Sequence, residues 1–196
     1  MSRPLYIVGI GGTTRAVSST EHALRYVLRV CAQAGAQTEC FNGPVLATLP
    51  YYAPELPFRS EEALRLLAGL RRADGIVIAS SSYHGGLSGL VKNAIDYAED
   101  MREEDPCYFS GRPVGCIATG AGWQGVVATL KALRDVAHAL RGWPTPMGAA
   151  INTAQTIYDA DGDIVDVKAR FQLTTVANEM LTFLDRPAPR LVAVPQ

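Results

Sequence analysis

Short apolar runs alternate along the chain with longer amphipathic stretches, and this alternation constrains the fold more than any other feature. Five runs have the length and composition of strands, over residues 5–9, 37–41, 75–80, 113–119 and 147–153. Apolar residues recur at helical spacing over 19–34, 60–72, 87–103, 124–140 and 165–184. Apolar strands separated by helices are typical of a parallel sheet covered on both faces. The sequence therefore predicts an α/β protein, a three-layer α/β/α sandwich around a five-stranded parallel sheet.

The composition favours one folded domain that associates with itself. Hydrophobic residues make up 48% of the 196 positions and charged residues only 19%, which excludes a disordered chain and leaves apolar surface for self-association. No repeat or linker divides the chain, so we predict a single domain over 1–184. The proline-containing residues 185–196 are expected to form a loose C-terminal tail.

Charge, cysteine and histidine patterns exclude several classes of protein. With 18 basic and 19 acidic residues, no net field attracts nucleic acid or an anionic membrane. The first apolar run, 5–10, is too short to span a bilayer and lacks the signal-peptide pattern, so we expect a cytoplasmic protein. The 4 cysteines form no C-x-x-C pair and are expected to be reduced, and the 3 histidines lack metal-ligand spacing, so no metal site is predicted.

The loop after the first strand has the composition of a phosphate site. In an open parallel sheet, ligands bind outside the carboxyl ends of the strands. The loop over 9–20 joins a buried strand to a helix start, where backbone N–H groups are free to bind an anion. Its candidate phosphate-binding residues are Thr13, Arg15, Ser18, Ser19 and Thr20. The alternative is a glycine turn followed by an ordinary helix cap.

Two well-known phosphate loops do not match this loop. A P-loop requires a Gly-Lys pair, which the chain lacks. Gly9 and Gly11 begin a dinucleotide fingerprint, but Thr14 occupies the position of its third glycine. The hydroxyl-rich continuation suits a terminal phosphate monoester, so a mononucleotide is the better prediction.

The loops over 80–86 and 119–125 are predicted to form a slot for a flat heteroaromatic ring. Backbone groups and Tyr83 would face the ring, glycines would permit close approach, and Trp123 would form a wall or cover the core. The alternative is that both loops are ordinary surface turns. The candidate binding residues are Ser81, Ser82, Tyr83, His84, Gly85, Thr119, Gly120 and Gly122.

Together these loops resemble the NADPH-dependent FMN reductase family. Gly12, Thr13, Arg15, Ser18 and Thr20 follow the family pattern G-S-x-R-x-x-S-x-N, with two hydroxyl or amide positions exchanged. The residues SSYH at 81–84 stand where the family has P-E-Y-N, and LVKNAID at 90–96 matches its L-K-N-x-I-D. Lys92, Asn93 and Asp96 are interpreted either as the polar face of a helix or as flavin contacts.

The resemblance implies a flavodoxin-like fold with strand order 2-1-3-4-5, and FMN and NADPH or NADH as cofactors. It also implies hydride transfer from NAD(P)H to FMN and then reduction of a second acceptor, either flavin for a monooxygenase or a quinone, azo compound or similar small molecule. A homodimer or homotetramer is expected, with the helix over 87–103 at the dimer interface. Because FMN itself accepts and releases the hydride, no catalytic acid, base or nucleophile is assigned.

Two alternative functions remain at this point. A flavodoxin-type electron carrier or non-catalytic flavin-binding protein would share the fold, although the near-zero net charge argues against a carrier. A nucleoside-phosphate-binding transferase would bind its nucleotide but not FMN. The segments over 44–58 and 104–110 are interpreted either as loops beside the acceptor site or as packing.

Overall fold

The middle layer is a sheet of seven strands in a computed structural model that describes residues 3–15, 18–155, 157–159 and 162–185. Residues 186–196 of the predicted tail lie outside the described residues. The strands are β1 (Tyr6–Gly11), β2 (Gln37–Phe41), β3 (Gly75–Tyr83), β4 (Gly86–Leu87), β5 (Pro113–Gly120), β6 (Trp143–Pro144) and β7 (Ala149–Asn152).

Strand order follows the path β2-β1-β3-β5-β6, and all of these neighbours are parallel. Ile7 of β1 pairs with Thr38 on one side and Gly75 on the other. β7 also runs parallel to β5, whereas β4 turns back antiparallel to β3. β6 and β7 pair with successive parts of β5, where one fifth strand was expected, and β4 adds a short hairpin strand. The sheet therefore has seven strands instead of five, and the predicted order 2-1-3-4-5 is confirmed.

Helices cover both faces of the sheet, as its doubly apolar strands require. They are α1 (Ser19–Gln33), α2 (Gly43–Ala47), α3 (Glu61–Arg72), α4 (Gly89–Asp96), α5 (Trp123–Ala139) and α6 (Val167–Leu184), with a 3-10 helix at Tyr97–Met101. Side chains of β3 alternate between two cores: Ile76 and Ile78 pack with α3, α4 and α5, and Val77 packs with α1 and α6. No helix within these ranges has the length and apolar character to cross a bilayer.

Several predicted boundaries were wrong for local reasons. The third strand continues past residue 80 to Tyr83, because the chain then turns back and pairs Leu87 with Ser82. The helix predicted over 87–103 therefore begins only at Gly89, where the Ser88 hydroxyl accepts a hydrogen bond from the Val91 N–H group. It ends at Asp96 and continues as the 3-10 helix to Met101.

The expected strand over 147–153 is shorter in the structure, where it begins at Ala149 and ends at Asn152. Pro146 has no N–H group for the ladder, and the Met147 N–H group donates to Glu179 Oε2 of α6 at 2.7 Å instead of to β5. The segment over 44–58 was expected to be a loop without helix, and this prediction was wrong for its first residues. Residues Gly43–Ala47 form α2, because proline is tolerated in a first turn and the Asn42 side chain caps it.

Candidate functional site

A cavity of about 260 Å³ lies at the carboxyl ends of β1, β3 and β5. Strand order reverses between β1 and β3, so the loops that follow these strands separate there and leave a crevice. The cavity brings together most of the predicted binding residues. It is lined by Thr13, Arg15, Ser18, Ser19, Thr20, Ser81, Ser82, Tyr83, Thr119, Gly120, Ala121 and Thr153.

The first loop turns into the cavity through Gly12. Its φ of 123° is unfavourable for a residue with a side chain, and a Cβ atom there would lie 2.8 Å from the Gly43 nitrogen of α2. Beyond the loop, the Ser18 hydroxyl accepts a hydrogen bond from the Glu21 N–H group and so caps α1. Within the described residues, the N–H groups of Ser19 and Thr20 donate to no protein acceptor, which leaves them available to an anion.

Three hydroxyl groups from different elements meet at the base of the cavity. Thr20 Oγ1 lies 2.7 Å from Ser81 Oγ and 2.6 Å from Thr119 Oγ1. Three hydroxyls carry three hydrogens, and these two contacts use two of them. One hydrogen therefore remains to donate to an acceptor in the cavity.

Of the described residues that line this cavity, Arg15 alone has a charged side chain. It is exposed, and its backbone N–H group donates to Thr13 Oγ1 at 3.2 Å. Glu21 in the first turn of α1 accepts hydrogen bonds from Arg25 at 2.8 Å and from Asn42 at 3.1 Å. These two donors partly offset its negative charge.

The second loop is the tight turn between β3 and β4. His84 and Gly85 both have positive φ, 52° and 80°, as a two-residue hairpin turn requires. Tyr83, about half exposed, faces the cavity with Ser81 and Ser82, whereas His84 and Gly85 do not line it. The predicted ring contacts of His84 and Gly85 therefore have no counterpart in the cavity lining.

The third loop contributes backbone and a buried hydroxyl. Thr119 and Gly120 line the cavity, while Gly122 caps α5 without lining it. Trp123 is half exposed and lines a neighbouring cavity, so it neither covers the core nor belongs to the first cavity. Two lining residues were missed: Ala121, which has no reactive group, and Thr153, whose N–H group donates to the Gly120 carbonyl at 2.8 Å.

The polar residues of the 90–96 motif form hydrogen bonds to a neighbouring segment and an ion pair within the helix. Asn93 Oδ1 accepts from the Tyr52 N–H group at 2.8 Å, and its Nδ2 donates to the Pro50 carbonyl at 2.9 Å. Lys92 and Asp96 form an ion pair one helical turn apart. This arrangement agrees with the interpretation as a polar helix face, and the three residues do not line the cavity.

Hydrogen bonds from Arg59 and Tyr52 hold the proline-containing segment against the 3-10 helix. Arg59 donates to both carboxylate oxygens of Asp100, at 2.7 and 2.8 Å, and Tyr52 donates to the same carboxylate at 3.0 Å. Hydrogen bonding from Arg59 lowers the pKa of Asp100 below its ordinary value. The segments over 44–58 and 104–110 contribute no residue to the cavity lining.

The donors in the cavity fit the phosphate end of FMN. A phosphate monoester is an acceptor with nearly two negative charges at neutral pH. The two free N–H groups, the spare hydroxyl hydrogen and the Arg15 guanidinium all donate, and none of the described lining residues carries a carboxylate. Among the described residues, no group of His, Cys, Asp and Glu side chains is arranged to hold a metal ion.

Comparison with known proteins places the chain among flavin enzymes. A model of the family described as NADPH-dependent FMN reductase matches residues 5–156. An NAD(P)H-dependent FMN reductase of Pseudomonas aeruginosa is 30% identical over 173 residues, which cover 87% of this chain and 90% of that protein. An NADPH azoreductase of Bacillus sp. strain OY1-2 is 28% identical over 132 residues, 65% of each protein.

Solved structures show the same fold at low identity. FerB, a flavoenzyme NAD(P)H:(acceptor) oxidoreductase from Paracoccus denitrificans, has a TM-score of 0.73 at 22% identity, covering 92% of this chain and 97% of FerB. A flavodoxin of Streptococcus pneumoniae has a TM-score of 0.59 at 14% identity, covering 91% of this chain and 98% of that one. The flavodoxin-like fold is thus confirmed.

The family match and the curated relatives also confirm the prediction of an oxidoreductase that uses FMN and NAD(P)H, and they fit an enzyme better than an electron carrier. The family model spans most of the chain, including all three loops that build the cavity. The chain belongs to the NADPH-dependent FMN reductase family.

Proposed function

We propose that the protein oxidises NAD(P)H and reduces a small-molecule acceptor, with FMN bound in the cavity at the carboxyl ends of β1, β3 and β5. The observation that carries this proposal is the set of unused donors beside Arg15: two backbone N–H groups and one hydroxyl hydrogen. Free N–H groups occur at any helix start, but together with Arg15 and the spare hydroxyl hydrogen they form a set suited to a phosphate monoester.

Each loop would hold a different part of the cofactor. The phosphate would bind Thr13, Arg15, Ser18, Ser19 and Thr20. The ring system would lie along the second and third loops. Their proposed contacts that line the cavity are Ser81, Ser82, Tyr83, Thr119 and Gly120. His84, Gly85 and Gly122 do not line it and would contact only a part of the ring that extends beyond the cavity. When bound, FMN supplies the acceptance and release of hydride, so the protein needs to bind, orient and shield it.

The chain's own donors suit a phosphate ligand. Arg15 brings a guanidinium with several N–H donors to the cavity lining, and the hydroxyl and backbone N–H donors beside it are uncharged. Tyr83, half exposed beside the cavity, offers an aromatic surface that excludes water from one side of a bound ring.

The proposed acceptor is a small aromatic molecule such as a quinone or azo compound. Support comes from the Bacillus relative, which is named an NADPH azoreductase. Delivery of reduced flavin to a flavin-dependent monooxygenase is the competing route. The two differ in one measurement, since direct reduction proceeds without a release of flavin from the protein.

We further propose that one FMN-binding domain over 1–184 assembles into a homodimer or homotetramer in the cytoplasm. Exposed apolar side chains, among them Tyr51 at 89% and Phe58 at 86% exposure, support self-association. All four cysteines are free thiols, as is usual in a reducing compartment. The sheet and both of its helical layers draw on residues from Tyr6 to Leu184, which supports one domain.

An anaerobic titration tests the proposed function. Purified protein is titrated with FMN, and NADPH or NADH is then added while flavin absorbance is followed. We expect saturable FMN binding and loss of the oxidised flavin absorbance after addition of the nicotinamide cofactor. If FMN does not bind, or if neither nicotinamide bleaches it, the proposal is wrong.

A further inference from the structure

Thr129 of α5 connects the helix to both strands of the hairpin beside the cavity. Its side chain is fully buried, and its hydroxyl lies 2.9 Å from Ser82 Oγ of β3 and 3.1 Å from the Gly86 carbonyl oxygen of β4. A hydroxyl carries a single hydrogen, so both acceptors share one donor. Thr129 does not line the cavity itself, whereas Ser82 does.

The hairpin needs such an anchor because its own pairing is minimal. β4 has two residues, and the hairpin pairs only Ser82 with Leu87 and Tyr83 with Gly86. A two-stranded hairpin of this kind is marginally stable without tertiary contacts. The position of Tyr83 beside the cavity therefore depends on what holds the hairpin from outside.

Close packing around Ser82 makes the anchor specific. A Cβ atom at Gly125, one turn before Thr129, would lie 2.9 Å from Ser82 Oγ, and one at Gly120 would lie 3.0 Å from Ser82 Cβ. Ser82 is thus enclosed between the third loop and α5. Within this packing, the Ser82 hydroxyl oxygen accepts the hydrogen bond from Thr129.

We propose that Thr129 is a positioning residue for the flavin site: through Ser82 and Gly86 it fixes the hairpin that carries Tyr83. This inference rests on the proposed function, because it concerns how the same cavity holds its cofactor. Loss of the Thr129 hydroxyl would free the hairpin to shift, and a bound flavin would then have fewer fixed contacts and more water around its ring.

The test compares four variants in FMN titrations and in the visible spectrum of bound flavin. Thr129→Val keeps the shape and removes the donor, Thr129→Ser keeps the donor, and Ser82→Ala removes one acceptor. Thr182→Val is the matched control, since the Thr182 hydroxyl lies on the exposed face of α6 and donates to Asn178. The melting temperature of each FMN-free variant is measured alongside.

We expect Thr129→Val to weaken FMN binding about 10-fold and to shift the flavin absorption band, with Thr129→Ser within about 2-fold of the original protein. Thr182→Val should change neither the FMN affinity nor the flavin absorption band. The effects of Thr129→Val and Ser82→Ala on FMN affinity should not be additive, because both substitutions remove the hydrogen bond between Thr129 and Ser82. If Thr129→Val does not fold, amide hydrogen exchange at residues 83–87 of FMN-free Ser82→Ala must be faster than in the original protein, and equal rates refute the anchor.

Some results would overturn the inference without touching the proposed function. A lower melting temperature of Thr129→Val with unchanged FMN affinity and spectrum would make Thr129 a packing residue only. Failure of the original protein to bind FMN would instead refute the proposed function. In that case, amide hydrogen exchange at residues 82–87 of the FMN-free protein decides: exchange must be faster in Thr129→Val, and equal rates refute the anchor.

Discussion

Replacement of Thr20 by valine removes the central hydroxyl of the cluster at the base of the cavity while the side-chain shape is kept. Thr20 is 1% exposed and contacts Ser81 Oγ and Thr119 Oγ1, at 2.7 and 2.6 Å. After the change, Ser81, which is partly exposed, can turn to water, but Thr119 is 2% exposed and cannot. The buried Thr119 hydroxyl would therefore lack a hydrogen-bond partner.

The structure gives separate magnitudes for stability and for binding. An unsatisfied buried hydroxyl costs about 1–3 kcal/mol, and each kcal/mol lowers the melting temperature of a chain of this size by about 2–4 °C. The variant also loses the Thr20 hydroxyl, which lines the cavity and is one of the proposed phosphate contacts. A hydrogen bond to a phosphate is worth about 1.5–3 kcal/mol, so FMN should bind roughly 10- to 150-fold more weakly.

Riboflavin separates these two effects, because it has the same ring and ribityl chain but no phosphate. We expect Thr20→Val to weaken FMN binding by the stated factor and riboflavin binding by less than about 2-fold, with Thr20→Ser close to the original protein for both. Fluorescence titration of each flavin provides the affinities. Equal losses for FMN and riboflavin, or no loss for either, would refute the assignment of the cluster to the phosphate.

Three further changes test other parts of the site and fold. Arg15→Ala should weaken FMN binding by about 10- to 100-fold with riboflavin unaffected, and unchanged affinity in a titration would contradict the phosphate contact. His84 has a φ of 52°, so His84→Asn should leave the free energy of unfolding unchanged or slightly higher, whereas His84→Val should lower it by about 1–2 kcal/mol in urea denaturation. Similar stabilities of these two variants would argue against the turn geometry. Hydrogen bonding from Arg59 lowers the pKa of Asp100 in the folded protein, so the unfolded chain, with an ordinary Asp pKa of about 3.9, binds a proton first as pH falls. This part of the stability is present above about pH 4 and is lost at lower pH, and Asp100→Asn should flatten the measured unfolding free energy there; a pH profile like that of the original protein would contradict this.

Local patterns in the sequence predicted the covered parallel sheet and the loops of the site, whereas the strand order was implied by the family resemblance. Doubly apolar strands and helical periodicity require a covered parallel sheet, and such a sheet brings its carboxyl-end loops together wherever they lie in the chain. Thr20, Ser81 and Thr119 are therefore neighbours in the structure despite separations of 61 and 99 residues along the chain.

Other features of the structure depend on contacts between distant residues, which no local sequence pattern indicates. Asn93 bonds to Pro50 and Tyr52 more than forty residues away, and nothing in its helix distinguishes that role from an exposed polar face. Thr129 sits among apolar residues of α5, where its hydroxyl has no visible partner until the hairpin folds against it. The turn at His84 was missed as a hairpin because the returning strand has only two residues.

The affinities of the unmodified protein for FMN and for riboflavin, measured side by side, test the phosphate assignment most directly. The donors around Thr20 and Arg15 should make FMN bind at least about 100-fold more tightly than riboflavin. Equal affinities for the two flavins would mean that these donors do not bind the phosphate.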